Sequence, residues 1–458
     1  MGSYSTLFID GKEVCSRRHE LDPVIMTLFQ APERCIRRGT IEELLPDNLE
    51  DDRSNADDKV ELLTYETTLG TLKDRLDLMG FTFQFVRKEY ERLRKINMDE
   101  ASDEVQASYS ESYLRIVEAR QRALKGLTFD RWVKLFGPLW KREGYWGEVN
   151  PEIHLSEIPS NDASLDELHA WYMRTADVDT KYSCISEDTR VFLRIVCEIL
   201  PRDTAVIYDL SELVYESGYS DYAEEMASFA EQYLDGGYAT TRRIIVLTEG
   251  RFDQRAIESS LSLLHPGLRS YFSFLDFDTL NIQGGVSSVL NTLKAFISVG
   301  ITNRIVALLD NDTAAHASVQ AAKLGNLPQN VRIVFLPHLP SAEKYPTLGP
   351  GGLTKMDVNG LACSIELYLG ADVLGDSPTQ LIPIQWKGYD DKLRRYQGEI
   401  MSKPEIQSRV IEKLEQAKQD PDLLSTQDWI PMEMVLQSLI TAFHDMPPID
   451  YGLETLPE

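Results

Sequence analysis

Apolar residues along this chain follow two rhythms. Between residues 242 and 340, short unbroken apolar runs alternate with longer segments in which apolar residues recur every three or four positions. The runs Ile244–Leu247 and Ile305–Leu309 lack the apolar–polar alternation of a half-exposed strand, so they suit strands covered on both faces of a parallel sheet. The pattern predicts strands near 243–248, 271–277, 304–310 and 331–336, and helices near 252–264, 286–299 and 313–323. Strand and helix alternating in this way predict a small parallel sheet wound with right-handed crossovers.

The rest of the chain reads as mainly helical. At its start, residues 4–9 and 12–15 are strand-like and flank Asp10-Gly11, the pair a type I′ hairpin turn favours. Residues 60–100 and 105–125 read as helices, with Leu72, Leu76, Met79 and Phe83 on one side. In the aromatic, basic stretch 129–146, Trp132, Phe136 and Trp140 have the spacing of a packed helix face, and Gly137-Pro138 can interrupt it. Two more helices are expected at 187–200 and 220–234, and a helical tail at 404–443 with Pro404 in its first turn. Residues 47–59 read as a polar linker, 150–180 as a connection, and 337–355 as a loop rich in chain breakers. The fold class is therefore an α/β C-terminal domain plus a mainly helical N-terminal domain opened by a β-hairpin. Four regions are expected: 1–146, hairpin and helices; 147–240, an acidic helical linker region; 241–370, the α/β domain; 371–458, a helical extension.

Composition narrows the classes. A chain of 458 residues, 43% hydrophobic, can bury two or three cores of ordinary size. No run of 18 apolar residues suggests a membrane span, and the first residues do not resemble a signal peptide. Gly2 and Thr6 match a loose myristoylation pattern, but the strand pattern starting at Tyr4 outweighs it. Five scattered cysteines with no CxxC pair read as reduced thiols of a cytoplasmic protein, not as zinc ligands. The formal charge of −26 argues against a broadly basic nucleic-acid binder. The acid is uneven, however: residues 143–240 carry 21 acidic and 5 basic residues, whereas 115–142 carry 8 basic and 2 acidic. The acidic segment is either a solvated face or a dock for a basic partner.

The candidate chemistry lies at the predicted strand ends. Open α/β sheets bind ligands there, and Glu249, Asp310 and Asp312 fall there. Carboxylates gathered in one place repel one another unless a cation sits between them, and the hard, oxygen-seeking choices are Mg²⁺ and Mn²⁺. Asp310 and Asp312 are one residue apart, so an extended backbone turns both to the same side. Helix capping could explain one of them, but hardly both. Asp253, in the first turn of the next helix, can reach back to the same place, though a helix-start charge is its competing role. Glu366 is a further candidate, with a plain surface role as the alternative. Asp276 and Asp278 form a second DxD that reads as structural. Between 385 and 403, Lys387, Lys392, Arg394, Arg395 and Lys403 are interleaved with Trp386, Tyr389 and Tyr396. That mixture suits either contact with a nucleic-acid backbone and its bases or an ordinary amphipathic surface.

Thr248-Glu249-Gly250, Gly284-Gly285 before a helix, and Asp310-Asn311-Asp312 together resemble the Toprim domain, over roughly residues 242–370, and specifically its overcoming-lysogenization-defect (OLD) nuclease branch. The opening, Met1 to Gly11, and the helices after it are similar to the region ahead of Toprim domains in HEPN/Toprim-associated proteins. The resemblance implies that Glu249, Asp310 and Asp312 ligate Mg²⁺ or Mn²⁺ and act in catalysis. It implies that Asp253 and Glu366 complete a second metal position, and that Lys387 neutralises charge in the transition state. The implied activity is a metal-dependent endonuclease acting on DNA or RNA, transfer RNA among the candidates, in bacterial anti-phage or anti-plasmid defence. The alternative is a non-catalytic Toprim docking or regulatory module acting through a partner protein. The sole Arg–His pair at the spacing of HEPN ribonucleases, Arg332 and His338, brackets a predicted strand, so the helical part is not read as a separate HEPN nuclease. No GxxxxGK[ST] motif occurs, so an NTPase activator would have to be a partner chain. Strand-passage and template-binding modules of topoisomerases and primases find no counterpart.

Overall fold

The computed structural model describes residues 3–39, 60–106, 111–140, 158–160, 162–175, 186, 188–216, 243–275, 284–376 and 380–446. The expected linker 47–59, the helix at 220–234 and the Asp276/Asp278 pair lie outside them. Two compact units emerge, one built mainly of Met1–Tyr233 and the other of Leu234–Met446.

In the N-terminal unit, β1 (Tyr4–Ile9) and β2 (Lys12–Arg18) form the expected hairpin. Asp10 and Gly11 both take positive φ, 55° and 71°, as a type I′ turn requires. The elements continue with α1 (Pro23–Met26), β3 (Arg34–Gly39), β4 (Val60–Thr68), α2 (Leu69–Leu78), α3 (Phe83–Gln106), α4 (Glu111–Gly126), α5 (Phe129–Trp140), α6 (Leu165–Thr175), α7 (Thr189–Ile199), β5 (Ala205–Asp209) and α8 (Ser211–Glu216). The hairpin is one edge of a five-stranded antiparallel sheet, order β2-β1-β5-β4-β3. This corrects the helical reading of 60–68. Leu62, Leu63, Thr64 and Tyr65 are all buried, so β4 has no alternation, and a short apolar run cannot be told from a helix by periodicity. Its partners β3 and β5 are distant in sequence, and neither was anticipated: β5 is only five residues long, and β3 is partly exposed with no apolar run. The stretch 150–180, read as a connection, contains α6.

The packed aromatic face of α5 is present. Trp132 and Phe136 stack at 4.7 Å, and Phe136 meets Phe192 of α7 edge-on at 5.7 Å. Pro138 sits inside this helix without ending it. Beneath the helices, the fully buried guanidinium of Arg75 forks onto both carboxylate oxygens of Glu33 at 2.8 Å and donates to the Leu28 carbonyl.

The C-terminal unit runs β6 (Ile244–Leu247), α9 (Arg251–Leu264), β7 (Phe272–Phe274), α10 (Val286–Ser298), β8 (Ile305–Leu309), β9 (Asn311–Asp312), α11 (Thr313–Ala322), β10 (Val331–Phe335), β11 (Tyr345–Gly349), β12 (Gly352–Met356), β13 (Ala362–Cys363), β14 (Ile384–Asp390), β15 (Arg395–Ile400), α12 (Lys403–Gln419) and α13 (Ile430–Ile440). The four predicted strands form an all-parallel sheet, order β10-β8-β6-β7. Every residue of β8 is buried, as an unbroken apolar run in a covered central strand should be. Leu247, Ile305, Ala307 and Leu309 pack with Val289 and Leu293 of α10 and with Val331. A second sheet, order β12-β11-β14-β15, was not anticipated. Its first hairpin lies in the supposed loop 337–355, where Pro350-Gly351 forms the turn between the paired Gly349 and Gly352 rather than an irregular coil. The helical tail holds, with Pro404 in the first turn of α12. Among the described residues no helix is long and apolar enough to cross a membrane.

Candidate metal centre

Two neighbouring strands of the parallel sheet deliver the principal acids. After β6 the chain passes through Glu249 and Gly250 into α9, which carries Asp253 in its first turn. After β8 it passes through Asp310 into the two-residue β9, and Asp312 caps α11. Glu366 arrives separately, on a 3₁₀ turn spanning Ile365–Tyr368, and is 2% exposed. Glycines allow the close approach. A Cβ on Gly284 would lie 2.7 Å from the Glu249 carbonyl oxygen, and the Gly285 N–H donates to that same oxygen at 2.7 Å. Gly285 itself has φ 97°, a region that favours glycine. Glu249, Asp253 and Asp310 line one pocket of about 10 Å³, walled by Ile257, Leu336 and Ile365, with room for about one water-sized sphere.

The carboxyl groups perturb one another. Burial, then Asp312 and Asp253, push Glu249 up to about 7, although the Asp310 N–H donates to its Oε1 at 2.8 Å. Burial and Glu366 push Asp253 up to about 7. Asp310 is raised well above the usual carboxylate range, by burial and then by Glu249, Asp253, Asp312 and Glu366. Burial also raises Asp312, against the 2.7 Å hydrogen bond its Oδ1 accepts from the Ala315 N–H. Capping thus accounts for Asp312 and leaves Asp310 without that explanation.

Among the described residues, the cation that answers several members of this cluster is Lys403. Burial opposes its charge, but Glu366, Asp310, Glu399 and Asp253 outweigh that and raise its pKa. Its Nζ lies 3.6 Å from Glu366 and 3.8 Å from Glu399. Lys387, the lysine singled out from the sequence, is instead exposed on β14 and donates to Gln385 at 3.3 Å. The sequence did hold a signal for Lys403. It opens α12, where the helix dipole disfavours a cation, and Glu366 and Glu399 offset that cost.

The donor set fits a hard divalent ion: five carboxylates, with no thiol or imidazole required. Among the described residues, however, no three His, Cys, Asp or Glu side chains already form a metal-holding group. Local donors occupy the oxygens. Ser364 Oγ donates to Glu366 at 2.6 Å, Gln407 Nε2 donates to it at 3.2 Å, and Asp312 is turned to its cap. The described cysteines 15, 35, 197 and 363 are unpaired thiols. Arg332 pairs with Asp445 and His338 with Glu343, and Arg332 lies on the strand Val331–Phe335, not on a helix.

Compared with known proteins, residues 1–234 match the family model HEPN/Toprim N-terminal domain 1. No curated protein and no solved structure matches. The model takes in the opening hairpin, the antiparallel sheet and the aromatic helices, and it ends ahead of Glu249. Matched over more than half of its length, the chain belongs to the HEPN/Toprim N-terminal domain 1 family.

Proposed function

We propose that residues 241–370 form a Toprim-type domain that holds Mg²⁺ or Mn²⁺ and cleaves phosphodiester bonds. The observation that carries this reading is the convergence of Glu249, Asp253, Asp310, Asp312 and Glu366 from separate elements into one mutually repelling group answered by Lys403. Burying like charges costs stability, and such an arrangement persists where a bound cation offsets it. The family name supports the reading, because it couples this N-terminal domain to a Toprim domain, and the parallel sheet follows directly in the chain.

In this reading Glu249, Asp310 and Asp312 hold the first ion, and Asp253 with Glu366 completes a second position. Bound ions of this class supply charge stabilisation to the entering and leaving oxygens of a phosphodiester. The chain supplies the rest. Glu249, raised by burial and by Asp312 and Asp253 in the metal-free chain, would either ligate the ion or manage a proton. Lys403 presents a positive charge to an anionic substrate and takes the role first assigned to Lys387. The close contacts of Gly284 and Gly285 hold the Glu249 backbone in place. Defence against phage or plasmids, a cytoplasmic location, a DNA or RNA substrate (transfer RNA among them) and an activating partner such as an NTPase complete the proposal.

The test is cleavage of single-stranded DNA, duplex DNA and total transfer RNA by the full chain with Mg²⁺ or Mn²⁺, beside Glu249→Gln and Asp310→Asn/Asp312→Asn. Metal-dependent cutting lost in both variants is the expected result. Absence of cutting, together with no calorimetric Mg²⁺ or Mn²⁺ binding, would sink the nuclease reading and leave the docking module.

A further inference from the structure

The hairpin of β14 and β15 carries a surface that the cleavage chemistry does not use. Tyr389 and Tyr396 are register partners on it, each 51% exposed, with ring centroids 5.2 Å apart. Trp386 continues the row, 5.7 Å from Tyr396. Arg394 and Arg395, both exposed, adjoin the two tyrosines, and these four residues with Leu361 line an open groove of about 530 Å³. Neither guanidinium has an ion-pair partner among the described residues, in a chain with 73 acidic against 47 basic residues. The carboxylate nearest in register to Arg395, Asp390, instead accepts the backbone N–H groups of Lys392 and Leu393 in the turn.

The groove is built onto the carboxylate centre. Thr313, the residue after Asp312, donates its hydroxyl to the Tyr396 carbonyl at 2.7 Å. Leu361 bridges to Asp312, and Ala362 pairs with it in the β13–β9 ladder. Gly398 lets Ala362 lie on the β15 face, since a Cβ there would be 3.1 Å from the Ala362 Cβ and 2.7 Å from Ile384. A Cβ on Gly360 would lie 3.6 Å from Arg395 Nη1 and 3.8 Å from the side-chain oxygen of Asn311, which stands between the two aspartates. An exposed aromatic row beside unpaired guanidiniums therefore begins at the strand that carries Asp312.

We infer that this hairpin is the strand-binding platform of the site, and that its ligand is single-stranded nucleic acid. Unpaired bases stack on Tyr389 and Tyr396, while Arg394 and Arg395 hold the phosphates. Stacked pairs inside a duplex do not offer their faces to such a row, whereas unpaired bases do, and any base suffices. The inference rests on the reading of the carboxylate centre as a phosphodiester-cleaving site, and it supplies the substrate class.

The experiment is fluorescence anisotropy with the full-length Asp310→Asn/Asp312→Asn protein, so that binding is read without cleavage. The probes are labelled 20-nucleotide oligothymidylate and oligouridylate and a 20-base-pair duplex. The single strands are expected to bind at least about tenfold more tightly than the duplex, with Tyr389→Ala/Tyr396→Ala weakening them by about tenfold or more and the Phe pair restoring most of it. Arg394→Ala/Arg395→Ala is expected to flatten the salt dependence by one to two phosphate contacts, about 0.7 per contact for a single strand. Equal binding of duplex and single strands, or tyrosine variants that bind like their parent while circular dichroism reports a folded chain, overturns the platform. Single-strand binding by a wild type that neither cleaves nor binds Mg²⁺ or Mn²⁺ in calorimetry would leave the platform standing and remove the nuclease. Cleavage indifferent to the tyrosines would do the reverse.

Discussion

Glu249→Gln is expected to stabilise the metal-free protein. Gln has the shape of Glu, and its oxygen can still accept the Asp310 N–H, so the substitution removes little but charge. In the wild type, burial and then Asp312 and Asp253 raise this carboxyl from 4.5 to about 7. Well below pH 4.5 it is neutral both folded and unfolded, and no stability is lost. As pH rises from 4.5 the unfolded carboxyl ionises first, and folding loses stability until the folded group also ionises near 7. At ~1.4 kcal/mol per unit of pKa, the loss at pH 8 is on the order of 3 kcal/mol. At pH 5.5 it is roughly 1 kcal/mol. For a unit of this size, 3 kcal/mol corresponds to a melting shift of about 6–12 °C. Calorimetric scans in EDTA at pH 8 and 5.5, both clear of the sequence pI near 4.7, read it directly. The variant should melt higher at pH 8, by a margin that shrinks at pH 5.5, and added Mg²⁺ should raise the wild type more than the variant. A variant that melts at or below the wild type in EDTA at pH 8 would refute the account of a mutually repelling carboxylate group.

Lys403→Gln has the opposite sign in the same scans: removing the cation that answers Glu366 should lower the EDTA melting point at pH 8 by the equivalent of about 1–3 kcal/mol, with Mg²⁺ recovering much of it. Gly284→Ala places a methyl 2.7 Å from the Glu249 carbonyl oxygen, so urea titration should find it destabilised by about 1–3 kcal/mol and metal-dependent activity should fall with it. In the N-terminal unit, Arg75→Ala leaves Glu33 without its buried partner and should cost about 3–5 kcal/mol by the same titration. Burial pushes the thiols of Cys197 and Cys363 up to about 12, so iodoacetamide mapping by mass spectrometry should find both unlabelled in the native protein at pH 8 and labelled in denaturant.

How much of the site was legible depends on how local its determinants are. Glu249, Asp310 and Asp312 sit one or a few residues beyond unbroken apolar runs, so strand-end position and spacing were readable from the chain. Lys403 was not picked out among the basic residues of 385–403, because its meaning comes from Glu366, 37 positions away in sequence and 3.6 Å away in space. Lys387 had the right charge and neighbourhood in sequence but faces solvent on β14. Tyr389 and Tyr396 were legible as aromatics in a basic stretch. That they form one exposed row joined to the Asp312 strand depends on strand pairing.

Local pattern along the chain encodes the parallel sheet, its four strands and three helices, the type I′ hairpin and the packed face of α5. Each of these is written in a local period or a turn pair, which acts before any distant contact forms. Tertiary structure alone decided the five-stranded antiparallel sheet, the second sheet and the choice of cation at the acidic cluster. Val60–Thr68 is a strand because β3 and β5 pair with it on both edges, and no periodicity inside nine residues encodes partners that far away. The raised carboxyl pKa values arise in the same way, since burial and like charge act through space between groups such as Asp253 and Glu366, 113 positions apart, and Asp310 and Glu249, 61 apart.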